Sequence, residues 1–244
     1  MSAFSRAAAR SRHSSYRQVF AVPGAGRLFG AAAIGRLSYG TVFLSLMLGL
    51  TGATGSYAVA GAAMALFGLA GSVLAPVRGA LVDRFGARRV LPPLAAGCAA
   101  LLIGLAVVGG RPGTPVWLLL GSAAAAGAVA PPLGPVVRAR WGALIGEPEL
   151  RQRAFALDTV AEEVLYVTGP LLAGALAVLA SPTAGVLVSA ALMLLGSLAL
   201  AAVLPATGTA PAVGGGNAPT RKGRRQRTAG LGGAPLPPPP PLLP

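Results

Sequence analysis

Six long apolar runs decide what this chain can fold into. They lie at about Leu28–Leu50, Ser56–Val77, Val90–Val108, Val116–Val137, Phe155–Ala180 and Thr183–Leu204. Each holds close to the ~20 apolar residues that an α-helix needs to cross a hydrocarbon layer. At ~1.5 Å per residue the first run reaches roughly 34 Å. That is too long for the core of a signal peptide, so it is read as a retained helix. None of the runs alternates apolar and polar residues with a period of two, which argues against a membrane barrel. Only 11% of the 244 residues are charged, against about 25% in a soluble domain. That leaves too little charge to cover a water-facing surface. The expected fold class is an all-α membrane protein with six transmembrane helices.

The charges between the runs give orientation. Arg6, Arg10, Arg12, Arg17 and Arg27 precede the first run. Arg78, Arg84, Arg88 and Arg89 lie between the second and third, and Arg138, Arg140, Arg151 and Arg153 between the fourth and fifth. Arg221, Lys222, Arg224, Arg225 and Arg227 follow the sixth. Eighteen of the 20 basic residues therefore fall on one side, Arg111 falls on the other, and Arg36 lies inside the first run. Basic loops stay in the cytoplasm. Both termini are expected there, in a multi-pass protein of a cell membrane, with a bacterial plasma membrane as the expected setting and the lipid bilayer as its surroundings. The net charge of +14 is thus read as topology and not as a nucleic-acid surface.

These boundaries divide the chain into a basic cytoplasmic arm (1–27), a six-helix membrane domain (28–204) and a tail (205–244). The tail is rich in Gly, Pro and Arg, has no helical period and is expected to be disordered. Its "RKGRRQR" reads as a solvated charge run, with no nucleic-acid partner expected.

Several chemistries find no residues to carry them. Cys98 and His13 are the only cysteine and histidine, so no disulfide within the chain and no Cys- or His-based metal site is expected. An intramembrane serine protease would need a membrane histidine, and His13 lies in the arm. "GAGRLFG" at 24–30 has the wrong glycine spacing for a nucleotide loop, and no Walker loop is present. The expectation is a non-enzyme with no metal and no cofactor.

"GALVDRFGARRVL" at 79–91 stands out between two uncharged runs. Gly79, Asp83, Arg84, Gly86, Arg88 and Arg89 form a G-x-x-x-D-R-x-G-x-R-R pattern. Gly86 is suited to the positive φ of a sharp turn. Asp83 is placed to pair with Arg84, Arg88 or a neighbouring helix end. The pattern and its place between the second and third helices resemble the signature loop of the major facilitator superfamily of secondary transporters. Ala87 stands where that family usually has a basic residue. The resemblance implies a tight turn in which Gly lets helices approach closely and Asp and Arg form a conformational latch. Without the resemblance, the stretch is a basic turn that sets topology.

The fifth run carries a second, partial likeness. Gly169, Pro170 and Gly174 resemble the fifth-helix motif of exporters in that family, with Leu165 and Ala173 standing where the motif has Gly. Pro170 removes a backbone donor and is expected to loosen or bend the helix, a hinge suited to rocking. The same run carries Asp158, Glu162 and Glu163. Carboxylates within a membrane helix are costly and are functional candidates. Arg36 is eight residues past Leu28, and Glu163 is eight past Phe155. Depth counted from these apolar edges predicts an Arg36–Glu162 or Arg36–Glu163 ion pair, either a neutralised buried charge or a proton- or substrate-binding site.

The resemblance implies the N-terminal six-helix half of a fold that usually has twelve helices in two halves. What it implies for function is secondary active transport of a small-molecule substrate by alternating access, with proton-coupled export favoured; pairing with itself or with another six-helix half is one expectation for how the fold is completed. The tail resembles GC-rich coding sequence read out of frame, so a truncated transporter is also an expectation. The alternative is a six-helix scaffold or inactive fragment without transport.

Overall fold

A computed structural model of the protein describes residues 16–205. All the regular structure there is helical. A short helix, α1 (Tyr16–Ala21), is followed by α2 (Ala25–Thr54), the first span. The second span is a pair, α3 (Tyr57–Val73) and α4 (Ala75–Phe85), bent by 46°. The third is α5 (Ala87–Gly109). The fourth is α6 (Val116–Ala128) with α7 (Leu133–Leu144), the fifth is α8 (Pro148–Leu179), and the sixth is α9 (Ala184–Val203). Among the described residues five stretches are long and apolar enough to cross a membrane, and the bent pair, taken as one span, makes a sixth. The arm residues 16–27 are thus largely helical. Residues 1–15 of the arm and 206–244 of the tail lie outside the described residues.

Local sequence explains where helices stop. The first span ends at Gly55, whose φ of 68° favours glycine and whose N–H donates to the Thr51 carbonyl at 2.8 Å. Ser56 then caps α3, its Oγ accepting from Val59 N–H at 3.3 Å. The fourth span breaks because Pro131 and Pro132 have no N–H to donate. Pro76 sits at the start of α4, where a missing donor is tolerated. The fourth-to-fifth connection shrinks to residues 145–147, so Arg138, Arg140, Arg151 and Arg153 lie on helices and not in a long loop.

The first span is the hub. It packs most extensively on the sixth, then the fifth, then the second; the third packs on the sixth and fourth, and the fourth on the second. One apolar cluster gathers Leu46, Phe67, Cys98, Leu102 and Met193. The other gathers Leu28, Leu91, Leu133, Trp141 and Leu200. Thr41 and Ser189 share a buried hydrogen bond of 2.7 Å between the first and sixth spans. Small residues let backbones approach closely, which is how helices pack where lipid removes the hydrophobic drive. The fifth span is covered least: 11% of its most apolar stretch is buried, against 56% for the first span.

Candidate functional site

Arg36 on α2 reaches Asp158 on α8. Nη1 donates to Oδ1 at 2.7 Å and Nη2 to Oδ2 at 2.9 Å. Both side chains are closed off, at 3% and 2% exposure. Trp141 on α7 donates its indole N–H to the same Oδ1 at 3.1 Å. One carboxylate therefore ties the first, fourth and fifth spans together. Two parallel bonds to a planar guanidinium fix angle as well as distance. Loss of either partner would strand a buried charge.

The expected partner of Arg36 was Glu162 or Glu163, and this is corrected to Asp158. The reason is helix register. The first helix begins three residues before Leu28, at Ala25, but the fifth begins seven before Phe155, at Pro148. The apolar edges were therefore unequal markers of depth, by four residues, which is about one helical turn. Counted from the helix starts, Arg36 is the twelfth residue of α2 and Asp158 the eleventh of α8.

Glu162 pairs instead with Arg138 of α7, Oε2 accepting from Nη2 at 3.0 Å. Here the guanidinium is 54% exposed and the carboxylate 15%. Glu163 is exposed, and among the described residues it has no ion-pair partner. It shares the uncovered face with Val160, Val164, Val167 and Leu171, which are 53–70% exposed.

The turn after the second span has a different character. Gly86 takes φ 84° and its N–H donates to the Val82 carbonyl at 2.8 Å, closing α4. Asp83, Arg84, Arg88 and Arg89 are all exposed. Asp83 forms no ion pair among the described residues, and the Arg84 guanidinium carbon lies 5.2 Å from the Phe85 ring centre. The resemblance implies a close helix approach at the loop's Gly, but a Cβ at Gly79 or Gly86 would meet nothing within 4 Å. At Gly169 the opposite holds: an added Cβ would overlap the backbone of Gly40 on the first span. Gly174 faces open space. Helix α8 stays one helix through Pro170, so Gly169 is a crossing point of the first and fifth spans.

Two residues were not singled out from the sequence. Trp141 lies outside every motif, and nothing in its sequence context marks it as a donor to a buried carboxylate. Arg78 is among the expected cytoplasmic loop charges, yet it lies on α4 with 7% exposure and donates its hydrogen bonds to main-chain carbonyls. The cue was its place two residues after Pro76, inside a helix start.

The sequence profile of the Major Facilitator Superfamily matches residues 28–239. The chain belongs to the major facilitator superfamily. The match covers every span and continues past the last described helix. Neither a curated protein nor a solved structure matches the chain. Major facilitator superfamily proteins are membrane transporters and not enzymes, and the helical architecture of this member fits that class. Among the described residues no cluster of side chains could hold a metal ion.

Proposed function

We propose that this chain acts as one half of a secondary active transporter that exports a small molecule by alternating access, coupled to protons, with both termini in the cytoplasm of the cell membrane. The observation that carries the reading is the bare fifth span. Its outward stripe of Val160, Val164, Val167 and Leu171 is interrupted by the exposed carboxylate of Glu163. Lipid tolerates a carboxylate poorly, so such a face suits another protein surface or an aqueous path. Two six-helix halves enclosing a site near the midplane supply both. The Arg138–Glu162 pair borders the same face. Its carboxylate, partly open and beside a half-exposed cation, is the group we assign to proton exchange.

The exposed turn at Asp83, Arg84, Arg88 and Arg89 supports a latch role, because Asp83 is left free to engage a partner when the halves rock. Export is favoured by the likeness of Gly169, Pro170 and Gly174 to the exporter motif. The test is accumulation of fluorescent or labelled small molecules in cells with and without the chain. Export predicts lower accumulation, reversed by a protonophore. Equal accumulation in both would contradict transport and favour a scaffold.

A further inference from the structure

Arg78 is a buried cation that, among the described residues, donates to four main-chain carbonyls and pairs with no carboxylate. Its Nη1 donates to the carbonyls of Gly127 at 2.9 Å, Ala130 at 2.6 Å and Ala128 at 3.4 Å. Its Nη2 donates to the Gly71 carbonyl. The choice of acceptors follows from the sequence. In a continuous helix the carbonyls of Gly127 and Ala128 would accept from the N–H groups four residues on. Those residues are Pro131 and Pro132, which have no N–H. The guanidinium thus supplies the donors that the two prolines remove. Gly71 lies at the other break, three residues before the bend at Leu74. Tyr39 of the first span adds a fifth bond at the same place, its hydroxyl donating to the Pro131 carbonyl at 2.5 Å. An added Cβ at Gly127 would overlap the backbone of Phe67, so the second and fourth spans also touch main chain to main chain here.

We propose that Arg78 is an intramembrane joint that couples the break in the second span to the break in the fourth, so that the two bends change together. Geometry and chemistry both favour a joint over a fixed strut. A guanidinium held by a carboxylate is anchored by charge. Held by carbonyls alone, it can exchange one neutral acceptor for the next as a bend opens. It has five N–H donors in a planar fork; Nε is buried with no partner and Nη2 makes a single contact, which leaves donors in reserve. Freed backbone groups at membrane depth must be satisfied by protein. Any change at the fourth-span break therefore has to be answered by Arg78, and Arg78 also holds Gly71.

The test replaces both prolines, Pro131→Ala with Pro132→Ala, in the full chain carrying Cys98→Ala. The restored N–H groups can close on Gly127 and Ala128 and take those acceptors from Arg78. Spin labels at Tyr57 and Phe85, both exposed ends of the second span, then report its bend by their separation. Coupling predicts a shift in that separation, although no residue of the second span besides the label sites has been changed. An unchanged separation overturns the proposal. In the Arg78→Gln background the proline replacements should leave the separation where Arg78→Gln alone puts it. Arg78→Lys, which keeps the charge but loses the fork, should transmit a smaller shift. An equal shift with Arg78→Gln or with Arg78→Lys as with Arg78 would also overturn it.

Discussion

Arg36 and Asp158 face each other as a closed, two-bond ion pair, at 2.7 and 2.9 Å, 122 residues apart in sequence. The pair joins the hub of the bundle to its least covered helix. Removing one partner of a buried pair typically costs about 3–5 kcal/mol, because the other charge is left uncompensated. Arg36→Ala and Asp158→Ala are each expected to lower folded yield and thermal midpoint in detergent. Arg36→Met with Asp158→Leu should recover much of the loss. Glu163→Ala should leave the midpoint close to that of the parent. Additive losses in the double variant would contradict the pairing.

Trp141 should show its N–H contribution separately from its bulk. Trp141→Phe keeps an aromatic ring in the core but deletes the donor to Asp158 Oδ1. A hydrogen bond to a charged group contributes about 1.5–3 kcal/mol. The expected result is a clear fall in thermal midpoint that disappears when Arg36→Met and Asp158→Leu are already present. A fall of the same size in that background would assign the loss to packing.

Two glycines of the fifth span should differ sharply. Gly169→Ala places a methyl in the Gly40 backbone, so the first and fifth spans must separate, and overpacking of this kind typically costs about 1–3 kcal/mol. Gly174→Ala meets open space and is expected to be neutral or slightly stabilising, since alanine is the better helix former. Matched melting curves of the two variants check this. Equal behaviour would contradict the crossing at Gly169.

Much of this architecture is legible in the sequence, and the misses have physical causes. Span number follows from apolar length, which lipid enforces strictly. The register between spans does not follow from apolar edges, because Arg151, Arg153 and Glu149 extend α8 well before Phe155. That displacement is why Arg36 was matched to Glu162 or Glu163 and not to Asp158. The fourth-span break was encoded in Pro131-Pro132 but was hidden by apolar neighbours that keep the hydropathy high. Arg78 was misplaced because charge near a helix end resembles a topology signal. Only the fold reveals that the carbonyls of Gly127 and Ala128, which lack their usual helical N–H partners at Pro131 and Pro132, lie within its reach.

Orientation gives a direct labelling prediction. In a Cys98→Ala background, a cysteine near Gly113 should react with an impermeant reagent added outside cells, and one at Ala87 should react only after permeabilisation. The motivation is the distribution of basic residues outside the first span, seventeen to one once the buried Arg78 is set aside. The reverse labelling pattern would overturn cytoplasmic termini.

Proton-coupled transport is tested most directly in sealed vesicles that hold the protein and a pH-sensitive dye, with candidate small molecules added under an imposed pH gradient. Substrate flux should rise with the gradient and be accompanied by proton movement in the opposite direction. In Glu162→Gln, which keeps the shape beside Arg138 but removes the exchangeable charge, flux should lose its gradient dependence. No flux for any compound, or flux through Glu162→Gln that still follows the gradient, would contradict it.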